Sequence, residues 1–292
     1  MRKNIVRLLS FVCLFFICAN NALAASTPTV TSFTPVSTSV GTFKKFEANF
    51  TISQTYAADS LLPYYFYDPA DNSATDPGRN SPYGIDGISI DVHFTSPSGK
   101  TSVVPAFYYQ DYSRTGSYNS TITLTPSNNF NWKVRFAPSE VGTYNYYVTI
   151  TDKNGNTKYP ASNNLQLTST ASSSKGFIKV SAQDKRFLEF TNGDAFIPVS
   201  SGKQWWSCCG KRSFDYDKTF TDFGLNGVNF TRIWDQNDGY ALTVEGRYDA
   251  YKYPDDYTPV DTGVNIDAIQ KGTQFNQRGN YEEDKIIEAA EN

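Results

Sequence analysis

In the stretch Ile88-Ser89-Ile90-Asp91-Val92-His93-Phe94, apolar residues hold one parity and polar residues the other. Successive side chains of a strand point to opposite faces, so this segment fits a half-buried β-strand and does not fit a helix. His93 falls on the wet face and reads as an ordinary surface histidine. Short stretches rich in β-branched and aromatic residues recur on either side: 46–52, 103–109, 120–124, 132–136 and 144–151. Ser96-Pro97-Ser98-Gly99-Lys100 and Asp152-Lys153-Asn154-Gly155-Asn156 supply the Pro, Asn and Gly that tight turns need. The pattern predicts an all-β sandwich over residues 27–170. Between Ala57 and Gly87 runs a long stretch with Tyr64, Tyr65, Tyr67 and Tyr83 and no strand period. Its rings either cover a neighbouring part of the protein or offer stacking surfaces to sugars.

The chain opens with Arg2, Lys3 and Arg7, continues through an apolar run from Leu8 to Cys18, and reaches Ala22-Leu23-Ala24 ahead of Ala25 and Ser26. A basic flank, a short apolar core and a small-residue cleavage site in that order predict a secretory signal peptide over residues 1–24. The core of about ten residues is too short for a bilayer span, and no comparable run comes later. A secreted or periplasmic protein with no membrane span is expected. Phe16 and Ile17 ahead of Cys18 do not suit a lipoprotein anchor. Cleavage takes three basic residues and no acidic one from a chain of formal net charge −3, which leaves −6. That balance argues against nucleic acid as a partner. Of the cysteines only the vicinal pair Cys208 and Cys209 then remains, so no disulfide framework is expected. The demanding geometry of a bridge favours two separate thiols over a strained ring. His93, the one histidine, lies far from that pair, so neither a metal nor a cofactor is expected.

The pattern changes near residue 170. Ala171-Ser172-Ser173-Ser174-Lys175-Gly176 is small and polar, as linkers are. Phe187 to Phe190 and Ala195 to Val199 read as strands around the turn Thr191-Asn192-Gly193-Asp194. Phe214, Phe220 and Phe223 are spaced for one buried face of a helix over 214–223. Val228 to Trp234 reads as the next strand, and Tyr281 to Ala290 as a helix with acidic residues in its first turn. Strand, helix, strand, helix is the order of a parallel sheet.

Several stretches resemble an arrangement found among bacterial glycoside hydrolases. Thr95 to Lys100 followed by Val104-Pro105-Ala106-Phe107-Tyr108-Tyr109, and Trp132 to Pro138 followed by Gly142-Thr143-Tyr144, resemble the immunoglobulin-like N-terminal module fused to such enzymes. Arg186 to Phe190 with Phe196-Ile197-Pro198-Val199, and Gly227-Val228-Asn229-Phe230-Thr231-Arg232-Ile233-Trp234, resemble the first and second strands of a clan A, family 5-like (β/α)8 barrel. The resemblance implies a multidomain chain: an immunoglobulin-like sandwich over 27–170, a linker over 171–176, and an incomplete barrel over 177–292 with its first two strand-helix units. A closed barrel takes about 250 residues, whereas Gly176 to Asn292 holds 117. The family's acid/base and nucleophile glutamates lie at the ends of the fourth and seventh strands, so no catalytic residue is expected in this chain.

Glycoside hydrolysis needs two carboxyl groups flanking the scissile bond. Asp235, Asp238 and Glu245 are the nearby acids, and they read as loop surface. Substrate contact is the better expectation at the C-terminal ends of strands, which singles out Arg232, Trp234, Asp235 and Asn237. By the resemblance Arg232 occupies the place of an arginine that orients the nucleophile; a structural ion pair for Arg232 and core packing for Trp234 are the alternatives. Trp205 and Trp206 offer flat apolar rings to a sugar face, with packing the alternative for at least one. The expected function is the N-terminal part of a secreted glycoside hydrolase acting on a polysaccharide or oligosaccharide, inactive alone. The alternative is a non-catalytic carbohydrate-binding or cell-surface adhesion protein.

Overall fold

The computed structural model describes residues 26–54, 88–118, 123–127, 132–152, 154–201, 212–231 and 277–291. Two sheets face each other. One carries, in spatial order, β1 (Val30–Pro35), β3 (Phe46–Ile52), β9 (Trp132–Phe136) and β6 (Phe107–Tyr108). The other carries β2 (Ser39–Gly41), β12 (Leu165–Thr170), β10 (Gly142–Asp152), β4 (Ile88–Thr95) and β5 (Thr101–Pro105), with β11 (Gly155–Tyr159) also on β10. The 11 residues of β10 give it room for two partners along one edge: β12 pairs with its first half and β11 with its second, while β4 lies along the opposite edge.

Strands β3, β4, β10 and β12, which supply much of the core, show the period of two. In β3 and β4 buried and half-buried residues alternate without a break. The inward parities of both sheets supply one apolar cluster that includes Phe46, Phe50, Val92, Phe94, Trp132, Val134, Tyr146 and Ile150. Aromatic contacts cross between the sheets, with Phe46 edge-on to Phe94 at 5.9 Å and to Tyr146 at 5.5 Å. At the corner before β10, the Tyr144 hydroxyl accepts from the backbone N–H groups of Ser139 and Glu140. A tyrosine bonded to the backbone just upstream of its strand pins such corners in sandwich folds. The expected hairpins form at 96–100 and 152–156. His93 stands half-buried on the outer face, where it stacks on Tyr147 at 4.6 Å and hydrogen-bonds Thr149 through Nε2.

A two-stranded ribbon, β7 (Tyr112–Thr115) with β8 (Thr123–Pro126), stands apart from both sheets. Residues 171–176 are tied at both ends: Ser172 Oγ bonds Thr42 O at 2.6 Å, and Thr191 Oγ1 accepts from Phe177 N at 3.0 Å.

The expectation of an incomplete (β/α)8 barrel is not met. The described residues are nearly all β, with two helices and no closed barrel. After residue 176 the strands β13 (Ile178–Val180), β14 (Leu188–Phe190) and β15 (Ala195–Phe196) form an antiparallel sheet. The turn residue Gly193, at φ 94°, reverses the chain between β14 and β15, a backbone conformation that glycine adopts without strain. In place of the expected second parallel strand, the described residues hold a single parallel bridge between Ser200 and Phe230. Backbone and side chains share that contact: the N–H groups of Asn229 and Phe230 both donate to Val199 O, at 3.0 and 3.3 Å. Asn229 accepts from Val199 N and donates to Ile197 O, and Thr231 Oγ1 donates to Ser201 O.

Helix α1 (Arg212–Leu225) contains the expected helical segment, and Tyr216, Phe220 and Phe223 form a ring series along it at 5.5 and 6.1 Å. Helix α2 (Gln277–Glu291) begins earlier than expected, so its first turn holds no acidic residue. The two helices pack on each other.

Candidate functional site

Lys133 and Arg135 occupy the outward parity of β9, and Glu47 the outward parity of β3, directly opposite Arg135. A charged outer face is normally wet, yet Lys133 is only 4 % exposed. Tyr109, just past β6, supplies cover: its ring lies under the lysine with Nζ 3.8 Å from the centroid. Helix α2 lies over the neighbouring Arg135.

Arg135 is the centre of this seam. Its Nε donates to Glu47 Oε2 at 2.8 Å, and its two terminal nitrogens donate to the two carboxylate oxygens of Asp284 at 2.6 and 2.5 Å. Such forked arginine–carboxylate pairs combine strength with a fixed orientation. Lys133 Nζ adds a second cation 3.0 Å from Glu47 Oε1. Around the charges, Tyr109, Leu124 and Tyr281 make a small buried cluster, with Phe107 and Tyr112 against it. On α2, Tyr281, Asp284 and Glu288 fall at the i, i+3, i+7 spacing of one helix face. Glu288 is held by Lys45 at 2.9 Å and Lys285 at 2.8 Å. Further along, Arg114 of β7 meets Asp217 of α1 at 2.8 Å.

Burial pushes the Glu47 carboxyl up, but hydrogen bonds and charge from Arg135 and Lys133 outweigh it and hold the group below the usual carboxylate range. Burial likewise opposes the Glu288 carboxylate, and its bonds to Lys285 and Lys45 bring it down to about 2. For Lys133 burial wins: the ammonium is held below the ordinary lysine range despite Glu47. The two shifts value the Lys133–Glu47 pair differently. The short contact and the carboxylate's second cation establish the ion pair, while the lysine carries the cost of leaving water. Burial, then the charge and hydrogen bond of Asp284, push the Tyr109 hydroxyl well above its ordinary range. It stays protonated and donates to Asp284.

A glycosidase proton donor needs a carboxyl group held up towards neutrality. Glu47 and Glu288 are moved the other way, so neither is poised as such a donor, and their contacts tie one part of the chain to another. Sequence parity places these charges on a wet face, and only the position of α2, 149 residues from Arg135, reveals their role.

The residues expected to touch substrate, Trp205, Trp206, Arg232, Trp234, Asp235 and Asn237, lie outside the described residues, as do Asp238, Glu245, Cys208, Cys209, residues 1–24 and the tyrosines of 57–87. Among the described residues no group of three or more His, Cys, Asp or Glu could hold a metal ion, and no helix is long and apolar enough to cross a membrane.

The Domain of unknown function (DUF5060) family matches residues 67–151, which covers the central strands of the sandwich. The architecture is similar to that of a provisionally assigned glycoside hydrolase from Bacteroides vulgatus: the TM-score is 0.50 at 16 % identity, over 87 % of this chain and 39 % of that one. The chain therefore spans well under half the length of that relative. A Lin-41 filamin domain matches at TM-score 0.21 and 14 % identity, over 50 % of this chain and 100 % of its own. No curated protein matches the sequence.

Proposed function

We propose that this chain is the N-terminal part of an exported glycoside hydrolase acting on polysaccharide, in which the sandwich is a structural support and the catalytic carboxylates lie outside the chain. The observation that carries this reading is the fold likeness to a longer protein assigned to that enzyme class, extending across 87 % of this chain but 39 % of the relative. The seam agrees with it, because its best-placed carboxylates are saturated by arginine and lysine. In this reading residues 1–24 are a cleaved leader that takes the protein out of the cytoplasm, and residues 171–176 join the sandwich of residues 27–170 to the C-terminal part of the chain. Trp205, Trp206, Arg232, Trp234, Asp235 and Asn237 contribute sugar contacts rather than proton transfer.

The test is reducing-sugar release from a panel of plant and algal polysaccharides. It compares the 292-residue chain with the product of the source reading frame extended past the codon for Asn292. Hydrolysis by the extended product alone is expected. Hydrolysis by the 292-residue chain would place a carboxylate pair inside it and overturn the proposal. Retention of the extended product on an immobilised glycan without cleavage would replace it by a carbohydrate-binding or adhesion protein.

A further inference from the structure

Two arginines each hold one helix, Arg135 from the sandwich and Arg114 from the β7–β8 ribbon beside it. Arg114 reaches Asp217 of α1 across 103 residues of sequence, and Arg135 forks onto Asp284 of α2 across 149. The apolar part of this attachment is small: Tyr109, Leu124 and Tyr281 are its buried members. The large core of the sandwich, in contrast, draws all its buried residues from Phe46 to Leu167 and none from either helix. The charges therefore decide whether the helices stay.

We propose that Arg114 and Arg135 form an electrostatic latch that fixes the helix pair on the sandwich, and that breaking the latch releases the helices while the sandwich remains folded. The latch holds whatever the glycan or reaction, so it stands apart from the enzymatic reading. Its parts face one another from every neighbouring element. Glu47 comes from β3, Lys133 and Arg135 from β9, and Tyr109 and Asp111 from the chain after β6. Arg114 comes from β7, Asp217 from α1, and Tyr281, Glu282, Asp284, Lys285 and Glu288 from α2, with Lys45 preceding β3. A carboxylate held below its ordinary range by its partners contributes stability that is complete above the unfolded value. That contribution is lost as pH falls through the folded value. For Glu288 this window runs from 4.5 down to about 2, and Glu47 loses its share on the same side of neutrality. Acid therefore weakens the contacts that Glu288 and Glu47 make beside the latch.

The experiment is site-resolved amide hydrogen exchange on the full chain at neutral pH, comparing wild type with Asp284→Asn and Arg135→Gln. Asp284→Asn leaves a side chain that water solvates readily once the helix departs, so folding of the sandwich is not at stake. Exchange in α2 should rise about tenfold or more in both variants, after correction for intrinsic rates, while β3, β4, β9 and β10 keep their protection. Unchanged α2 protection in Asp284→Asn, or loss of protection in helix and core strands together, would overturn the latch.

Discussion

Lys133 and Arg135 stand on one face of one strand, two residues apart, and burial leaves them in opposite positions. The lysine ammonium is held below its ordinary range despite Glu47, whereas the guanidinium, against Glu47 and Asp284, is held above its own. The reason lies in the side chains: a planar fork satisfies two carboxylates at once, and a compact, strongly hydrated ammonium loses more on leaving water. Removing each should therefore have different costs. Lys133→Met leaves Glu47 its bond to Arg135 and replaces a desolvated charge by an apolar chain, so a loss of about 1 kcal/mol or less is expected. Arg135→Met strands Glu47 and Asp284 together in a half-buried seam, and the expected loss is about 3 kcal/mol. Denaturant unfolding of the two variants under one condition checks the order; equal losses would deny Arg135 its place as the centre of the seam.

At the scale of the element, turns and strands are legible to different depths. The alternation from Ile88 to Phe94 gives β4 with its faces correctly assigned, because parity is a local property. What parity cannot give is the cover on the far side of a sheet, such as the Tyr109 ring under Lys133. The order of strand and helix after residue 176 suggests a parallel sheet, but direction is set by connections. A Gly193 turn reverses the chain, and Asn229 stitches the next approach with its side chain. The turn glycines also differ in what surrounds them. Gly99 and Gly142 both have positive φ, 85° and 132°, yet a Cβ at Gly99 meets nothing within 4 Å, while one at Gly142 would lie 2.8 Å from Pro97 Cγ. Pro97 cannot easily yield, since Glu140 grips the same turn through Ser98 N at 3.0 Å and Ser98 Oγ at 2.8 Å. Gly99→Ala should cost about 1 kcal/mol from backbone strain alone. Gly142→Ala adds a steric clash and should cost about 2 kcal/mol or more. Thermal unfolding of both variants measures the difference, and a Gly142→Ala protein as stable as Gly99→Ala would show that the turn gives way.

At the scale of the whole molecule, the question is whether the sandwich needs the C-terminal part of the chain. Its closure is internal. β2 pairs parallel with β12, Ser39 to Gly41 against Thr168 to Thr170, so the first and last parts of the sandwich lock each other. The buried cluster is complete by Leu167. Among the described residues the later chain adds the edge contact of Phe177 on Phe43 at 5.8 Å, the Arg114–Asp217 pair, and the contacts of α2 with Arg135, Lys45 and Tyr109. Those charges can rehydrate when uncovered, and rehydration of a desolvated lysine offsets part of the lost contact. A fragment of residues 26–176 should therefore unfold cooperatively, with near-ultraviolet circular dichroism from the Phe46, Phe94, Trp132 and Tyr146 cluster retained. A fragment with native-like secondary structure but no near-ultraviolet signal would have the character of a molten globule. That result would make the helices part of the sandwich's folding unit, since packing of the inner face would then depend on the cover over the outer one.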